Sequence, residues 1–130
     1  MSALSAAIEA RGNKLILKSG PAEAVIQELL SETGAKSVYW NRRYEPWAIE
    51  RDKKIKTTLK GKGIEANSFN ASLLREPWEV KTKKNEAYKV FTPFWRTLRS
   101  LGEPDPIKLA PKRIPAPSNF PESDELDAWG

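Results

Sequence analysis

A three-residue apolar run, Val38-Tyr39-Trp40, is followed after five polar residues by Pro46, and this spacing constrains the fold more than any other feature. β-Branched and aromatic residues favour a strand, and proline suits the first turn of a helix, where its missing N–H has no partner to lose. Residues 36–52 therefore read as strand, turn and helix. The turn carries Asn41, Arg42, Arg43, Tyr44 and Glu45. In an open α/β sheet a turn at the carboxyl end of a strand faces the crevice where ligands bind. Two alternatives stay open for it: a small-molecule pocket, or a surface Arg–Glu pair with Glu45 at the helix N-cap position.

The rest of the chain repeats the alternation. Leu4, Ala7 and Ile8 share one helical face, and Gly12 stands where a helix would end. Leu15-Ile16-Leu17 predicts a short buried strand. Ala22, Val25, Ile26, Leu29 and Leu30 then form one apolar stripe at helical spacing, and Gly34 ends it. The helix from Pro46 to about Lys60 turns Ala48, Ile55 and Leu59 inward, and Ile64 to Phe69 follows as a strand. Helix, strand, helix, strand, helix, strand with short connections indicates an α/β fold, a parallel sheet with flanking helices. Three strands make a thin parallel sheet, so further strands are expected ahead of Met1.

Beyond Phe69 the pattern loosens. Residues 70–86 are polar and suit a surface loop, and YKVFTPFWRTLRSL (88–101) suits a strand-like start and then a helix with Thr92 at the N-cap and Pro93 next. Six of the ten prolines lie between Pro104 and Pro121, so a packed core is not expected there. The expected organisation is a domain over 1–102 and a Pro-rich connector with an acidic tail over 103–130, the last residues mobile or docked.

Composition removes whole classes of chemistry. The 130 residues contain no cysteine and no histidine, which excludes disulfides, thiolate nucleophiles, Ser–His catalysis and His-ligated zinc. No catalytic residues and no metal ligands are assigned. Gly61-Lys62-Gly63 ends a helix instead of opening one, so it is no phosphate loop. No apolar run approaches the roughly 20 residues of a membrane span, and the N-terminus lacks the pattern of a signal peptide, so a cytoplasmic protein is expected. The net charge of +5 admits nucleic acid as a partner. Arg51, Lys53, Lys54, Lys56, Lys60 and Lys62 either contact phosphates as a small basic nucleic-acid-binding module or form a solvated helix face, the second fitting the amphipathic spacing better. Of five tryptophans, Trp40 and Trp95 lie in apolar runs and are expected to be buried, while Trp129 in the acidic tail has no assigned role.

Two stretches, YWNRRYEPWAIERD (39–52) and AYKVFTPFWRTL (87–98), resemble the amino-terminal α/β antenna domain of the DNA photolyase and cryptochrome family. KGIEANSF (62–69) and GNKLILKSGPA (12–22) fit the same domain, and the likeness is greatest to bacterial cyclobutane pyrimidine dimer photolyases. The resemblance implies a partial Rossmann-like parallel sheet lacking the family's first two strands, one of which carries an FRxDLR-type segment. It implies light-dependent DNA repair by the full-length protein, with FAD and the lesion held in a helical domain and a deazaflavin- or folate-type antenna held here. By position Glu45 and Arg51 match deazaflavin contacts, Arg43 replaces an acid, and the folate-type Asn–Glu pair is replaced by Trp47-Ala48. The implied ligand contacts are Asn41, Arg43, Glu45 and Arg51. The chain alone is then expected to be non-catalytic, to hold no bound cofactor beyond any residual ligand contact at those four residues, to bind little or no DNA, and to self-associate through unpaired sheet edges.

Overall fold

The computed structural model describes residues 1–104 and 106–125. Its elements are α1 (Ser2–Glu9), α2 (Ala22–Thr33), β1 (Ser37–Asn41), α3 (Pro46–Gly61), β2 (Glu65–Phe69) and α4 (Phe91–Ser100). Trp129 and the other residues of 126–130 lie outside the described residues.

The strand–turn–helix unit forms as its residue types dictate. Pro46 opens α3 with Glu45 at the N-cap position, and Gly34 closes α2 in the left-handed region at φ 66°. β1 and β2 pair in parallel, with Val38 opposite Ala66 and Trp40 opposite Ser68. The α3 crossover between them lies on one face, and Ala48, Ile55 and Leu59 on its inner side are buried with Val80. Trp40 and Ser68 point towards α3. Tyr39 and Phe69, on the opposite face, stay about half exposed at 54% and 53%. Their rings lie 6.1 Å apart.

The sheet has two strands, not three. Leu15-Ile16-Leu17 lies outside regular structure because, among the described residues, no strand runs alongside to complete a ladder. Its backbone bonds go instead to the Pro-rich segment. The Leu17 amide donates to Ser123 Oγ at 2.9 Å, and the Asp124 amide donates to the Leu17 carbonyl at 2.8 Å. Asp124 Oδ2 accepts from the Ser19 amide at 2.8 Å, and Ile114 donates to the Arg11 carbonyl at 2.9 Å. Residues 106–125 thus have no helix or strand, yet Ile114, Ser123 and Asp124 are docked on residues 11–19, whereas Ile107 and Leu109 stay exposed.

Three other expectations change. α4 starts at Phe91 behind Val90, so Thr92 and Pro93 sit inside its first turn and Thr92 is no cap. Trp95 remains 45% exposed and stacks on Phe91, with ring centroids 6.1 Å apart and planes 12° from parallel, because α4 has no partner surface deep enough to bury it. The loop after Phe69 is not wholly superficial, since Glu76 and Val80 are buried.

The accessible surface is 10416 Å², against roughly 6,900 Å² for a compact domain of this mass. The α2 stripe is half-buried, and none of its residues is fully buried. Stability therefore concentrates in the contact of α3 with the sheet. Leu59→Ala is expected to cost about 2–4 kcal/mol, the usual range for a buried leucine. Urea unfolding followed by circular dichroism measures it, and a loss under about 1 kcal/mol would show that α3 does not anchor the sheet.

Candidate ligand site at the carboxyl end of the sheet

The side chains of the β1–α3 turn fall into two bonding groups, with Arg43 reaching both. On the outer side, Arg43 forms an ion pair with Glu45 at 2.6 Å, both side chains about half exposed. The Arg43 guanidinium lies 5.0 Å from the centre of the Trp47 ring and that of Arg51 lies 5.3 Å from it, one helical turn further on. The Arg43 hydrogen bond holds the Glu45 carboxyl below its ordinary pKa, and Glu45 in turn raises that of Arg43. Glu45 caps the helix by position only, with no side-chain bond to the α3 backbone. Of the four sequence-derived contacts, Arg43, Glu45 and Arg51 are brought together around Trp47. Asn41, exposed at the end of β1, stands apart from them.

On the inner side is a network that local sequence patterns did not single out. Arg42 pairs with the buried Glu76 carboxylate and also donates to the Ser68 hydroxyl and carbonyl. Tyr44 donates its phenol to the second Glu76 oxygen at 2.7 Å. The guanidinium of Arg42 lies 5.2 Å from the Trp78 ring centre. Lys56 donates to Ser68 Oγ at 2.7 Å and lies 5.4 Å from the Trp40 ring, while Trp40 Nε1 donates to Asp52 at 2.9 Å. Asp52 accepts two further bonds from Arg51. Glu76 is the member that stitches the loop after β2 to the turn after β1. A carboxylate 34 residues from its arginine leaves no periodic trace in the sequence.

Between α3 and Trp78 these side chains line a cleft of about 440 Å³, with Arg42, Tyr44, Lys53, Lys56 and Trp78 in its walls. That volume falls within the range of small-molecule sites.

The cationic helix face resolves as well. Lys54 pairs with Glu23 of α2 at 3.1 Å and Lys62 donates to Gln27 at 2.6 Å, whereas Lys53 and Lys56 line the cleft. These lysines are split between two sides of α3 and do not form one phosphate-tracking stripe. Among the described residues, no helix is long and apolar enough to cross a membrane.

Removing Glu76 strands the Arg42 guanidinium. Glu76→Ala is expected to destabilise the chain by about 2–3 kcal/mol, somewhat below a fully buried pair because Arg42 retains water contact. Burial, followed by the bond to Glu76, raises the Tyr44 phenol above its ordinary value of 10.0. The folded state thus holds that proton more tightly than the unfolded state. The resulting stabilisation is complete below pH 10 and disappears as pH rises through the folded value. Tyr44→Phe should flatten this alkaline loss in urea midpoints measured from pH 8 to 11; an unchanged slope would remove Tyr44 as its source.

The comparisons with known proteins agree with this architecture. The family model described as DNA photolyase matches residues 1–118. The chain is 43% identical over 129 residues to the deoxyribodipyrimidine photo-lyase of Agrobacterium fabrum, covering 99% of this chain and 27% of that protein. It is 34% identical over 116 residues to Cryptochrome-1 of Arabidopsis thaliana, covering 88% of this chain and 17% of that protein. Among solved structures, a class III photolyase from Agrobacterium tumefaciens superposes with a TM-score of 0.92 at 43% identity, over 98% of this chain and 27% of that one. A cryptochrome from Synechocystis shares the fold, with a TM-score of 0.80 at 22% identity over 97% of this chain and 27% of that one. The chain spans about a quarter or less of these relatives' length. With the family model matching residues 1–118 and a 43%-identical relative matched over nearly the whole chain in sequence and in structure, the chain belongs to the DNA photolyase family.

Proposed function

We propose that this chain is the antenna-holding α/β part of a light-dependent DNA-repair photolyase, and that it carries no photorepair activity by itself. The observation that carries the proposal is the superposition at TM-score 0.92 and 43% identity on about a quarter of a class III photolyase. In this reading residues 1–102 are the antenna unit and 103–130 the connector. FAD and lesion DNA belong to the helical domain of a full-length family member. The 130 residues are assigned no part in holding either.

The chromophore contacts proposed are Asn41, Arg43, Glu45 and Arg51. Glu45 and Arg51 match a deazaflavin-type antenna by position, while Arg43 in place of an acid and Trp47-Ala48 in place of Asn–Glu depart from the deazaflavin and folate sets. Two guanidiniums lie about 5 Å from one indole ring at the N-terminus of α3, and a cleft of about 440 Å³ opens beside them. Bound there, the antenna would supply light absorption and energy transfer to a flavin. The chain's own residues orient its ring and balance its charge.

The open edge of β1 supports self-association. The Lys36 carbonyl and the Arg42 amide bond to β2, so in a parallel ladder the alternate residues Ser37, Tyr39 and Asn41 turn their backbone groups the other way. Among the described residues no strand lies along that edge. An exposed edge of this kind recruits another strand. A basic nucleic-acid module is disfavoured because Lys54 and Lys62 are committed to α2.

Titration with a deazaflavin and with a folate, read by absorbance and fluorescence, tests the antenna assignment. One chromophore is expected to bind, and Arg43→Ala with Arg51→Ala should weaken it by about tenfold, near 1.4 kcal/mol. Binding of neither would overturn the reading. A steeply salt-dependent affinity for undamaged duplex DNA, abolished by charge reversal at Lys53, Lys54 and Lys56, would instead establish the nucleic-acid module.

A further inference from the structure

We infer that the outward face of α4 holds an unpaired nucleic-acid strand, with Phe91 and Trp95 stacking on its bases and Lys89, Arg96 and Arg99 neutralising its phosphates. This surface shares no residue with the antenna site or with the lysines of α3, and the inference does not depend on the antenna reading.

The helix is anchored at both ends, so what it presents outward is a fixed surface. Phe94, Thr97 and Leu98 are half-buried, and the Tyr88 and Thr97 hydroxyls are hydrogen-bonded at 2.7 Å. At the far end Arg75 donates to the carbonyls of Leu101, Gly102 and Glu103 at 3.0, 3.2 and 2.8 Å, taking up acceptors that the end of a helix leaves unpaired. Phe91, Trp95 and Arg99 recur every four residues, share one face and are all exposed.

Two aromatic rings on that face meet each other and water. Phe91 is 70% exposed, and its plane lies 12° from that of Trp95 with 6.1 Å between centres, an offset stack. A base added to the pair continues the stack and covers ring surface now in contact with solvent. Base stacking of this kind is tolerant of sequence, because every base has a π-face.

Charge accounting supplies the other half. Residues 81–103 carry six basic side chains, Lys81, Lys83, Lys84, Lys89, Arg96 and Arg99, against Glu86 and Glu103, so four of the five net positive charges of the chain fall in this stretch. Lys89, Arg96 and Arg99 are exposed and form no ion pair with any described carboxylate. Arg96 adjoins Trp95 and lies three residues before Arg99, so both guanidiniums flank the aromatic row. Unmatched positive charge selects a polyanion, and free ring faces select which one. A duplex hides its base faces within its own stack, whereas an unpaired strand offers bases and backbone charge together. A lipid surface would demand an apolar stripe to insert, and Phe94 and Leu98, which would complete one, are held within the fold.

The test measures fluorescence anisotropy of a labelled thymidine oligomer of about 12 nucleotides, within the usual site sizes, on the full chain. A duplex of the same length, inorganic polyphosphate and phosphatidylserine vesicles serve as competitors. The single strand should bind at least tenfold tighter than duplex or polyphosphate and should quench tryptophan fluorescence. Trp95→Ala and Phe91→Ala should each weaken it about tenfold, with circular dichroism unchanged for the exposed Phe91 position. Arg96→Gln combined with Arg99→Gln should reduce the slope of log affinity against log salt by about 1.4, the contribution of two phosphate contacts on a single strand. Lys53→Glu should leave binding as it is.

Equal affinity for duplex or polyphosphate overturns the inference, since the face would then recognise charge without bases. So does binding that survives both aromatic substitutions in folded protein. Vesicle binding that the oligomer fails to displace assigns the face to lipid, and loss of binding on charge reversal at Lys53, Lys54 and Lys56 alone moves it to α3; either result refutes the role of α4. The antenna reading stands or falls by its own chromophore titration in every case.

Discussion

A parallel pair of strands has to be joined by a crossover, and the crossover has to lie on one face. Here α3 is that connection, and its inner residues Ala48, Ile55 and Leu59 supply nearly all of the fully buried apolar surface. Everything else is arranged around this contact. The helix begins where the turn residues end, so its position aims Lys53 and Lys56 at the cleft. Its other flank meets α2 through Lys54 and Thr58, both on Glu23. The opposite face of the sheet, with Tyr39 and Phe69, is left to water. The chain thus has one well-packed layer contact and a large exposed remainder.

Polar links do the work that a deeper core would do elsewhere. Glu76 is nearly inaccessible at 7%; its carboxylate joins Arg42 and Tyr44, and its amide donates to the Glu79 carboxylate. Such a carboxylate adds little net stability, because desolvation offsets much of the attraction. Its contribution is geometric: it fixes where a long irregular loop returns to the sheet. That return sets the distance between α3 and Trp78 and hence the width of the cleft. The outer cluster behaves differently. Arg43 and Glu45 are about half exposed, satisfy each other locally, and can exchange partners at small cost, while Arg51 is held by Asp52.

How much was legible in the sequence followed the range of the interactions involved. Pro46 at the head of α3, Gly34 behind α2 and the Val38–Trp40 strand are short-range effects and were readable from neighbouring residues. Leu15-Ile16-Leu17 has the composition of a strand, yet a strand is a relation between two segments, and here the available partner was the proline-rich chain more than 100 residues away. Trp95 looked like core because its neighbours are apolar; whether a surface exists to cover them is a property of the whole fold. At the site, Arg43 and Glu45 lie on the turn after β1, while Arg51, one helical turn into α3, was legible only through the family resemblance. Glu76 and Trp78 were missed as ligand-cleft components because nothing in a polar loop marks which residue folds back.

The bonds from Asn13, Leu17 and Ser19 to Pro115, Ser123 and Asp124 span 102, 106 and 105 residues. Contacts of that separation raise the contact order and close a large loop before any local gain repays it, which delays their formation. The α3–sheet unit can assemble within a few dozen residues, whereas the extended segment at 13–19 must wait for residues 115–124 to leave the ribosome. During synthesis that segment is an apolar stretch with unpaired backbone. The proline-rich partner is suited to protect it, since prolines resist being drawn into an aggregating ladder themselves.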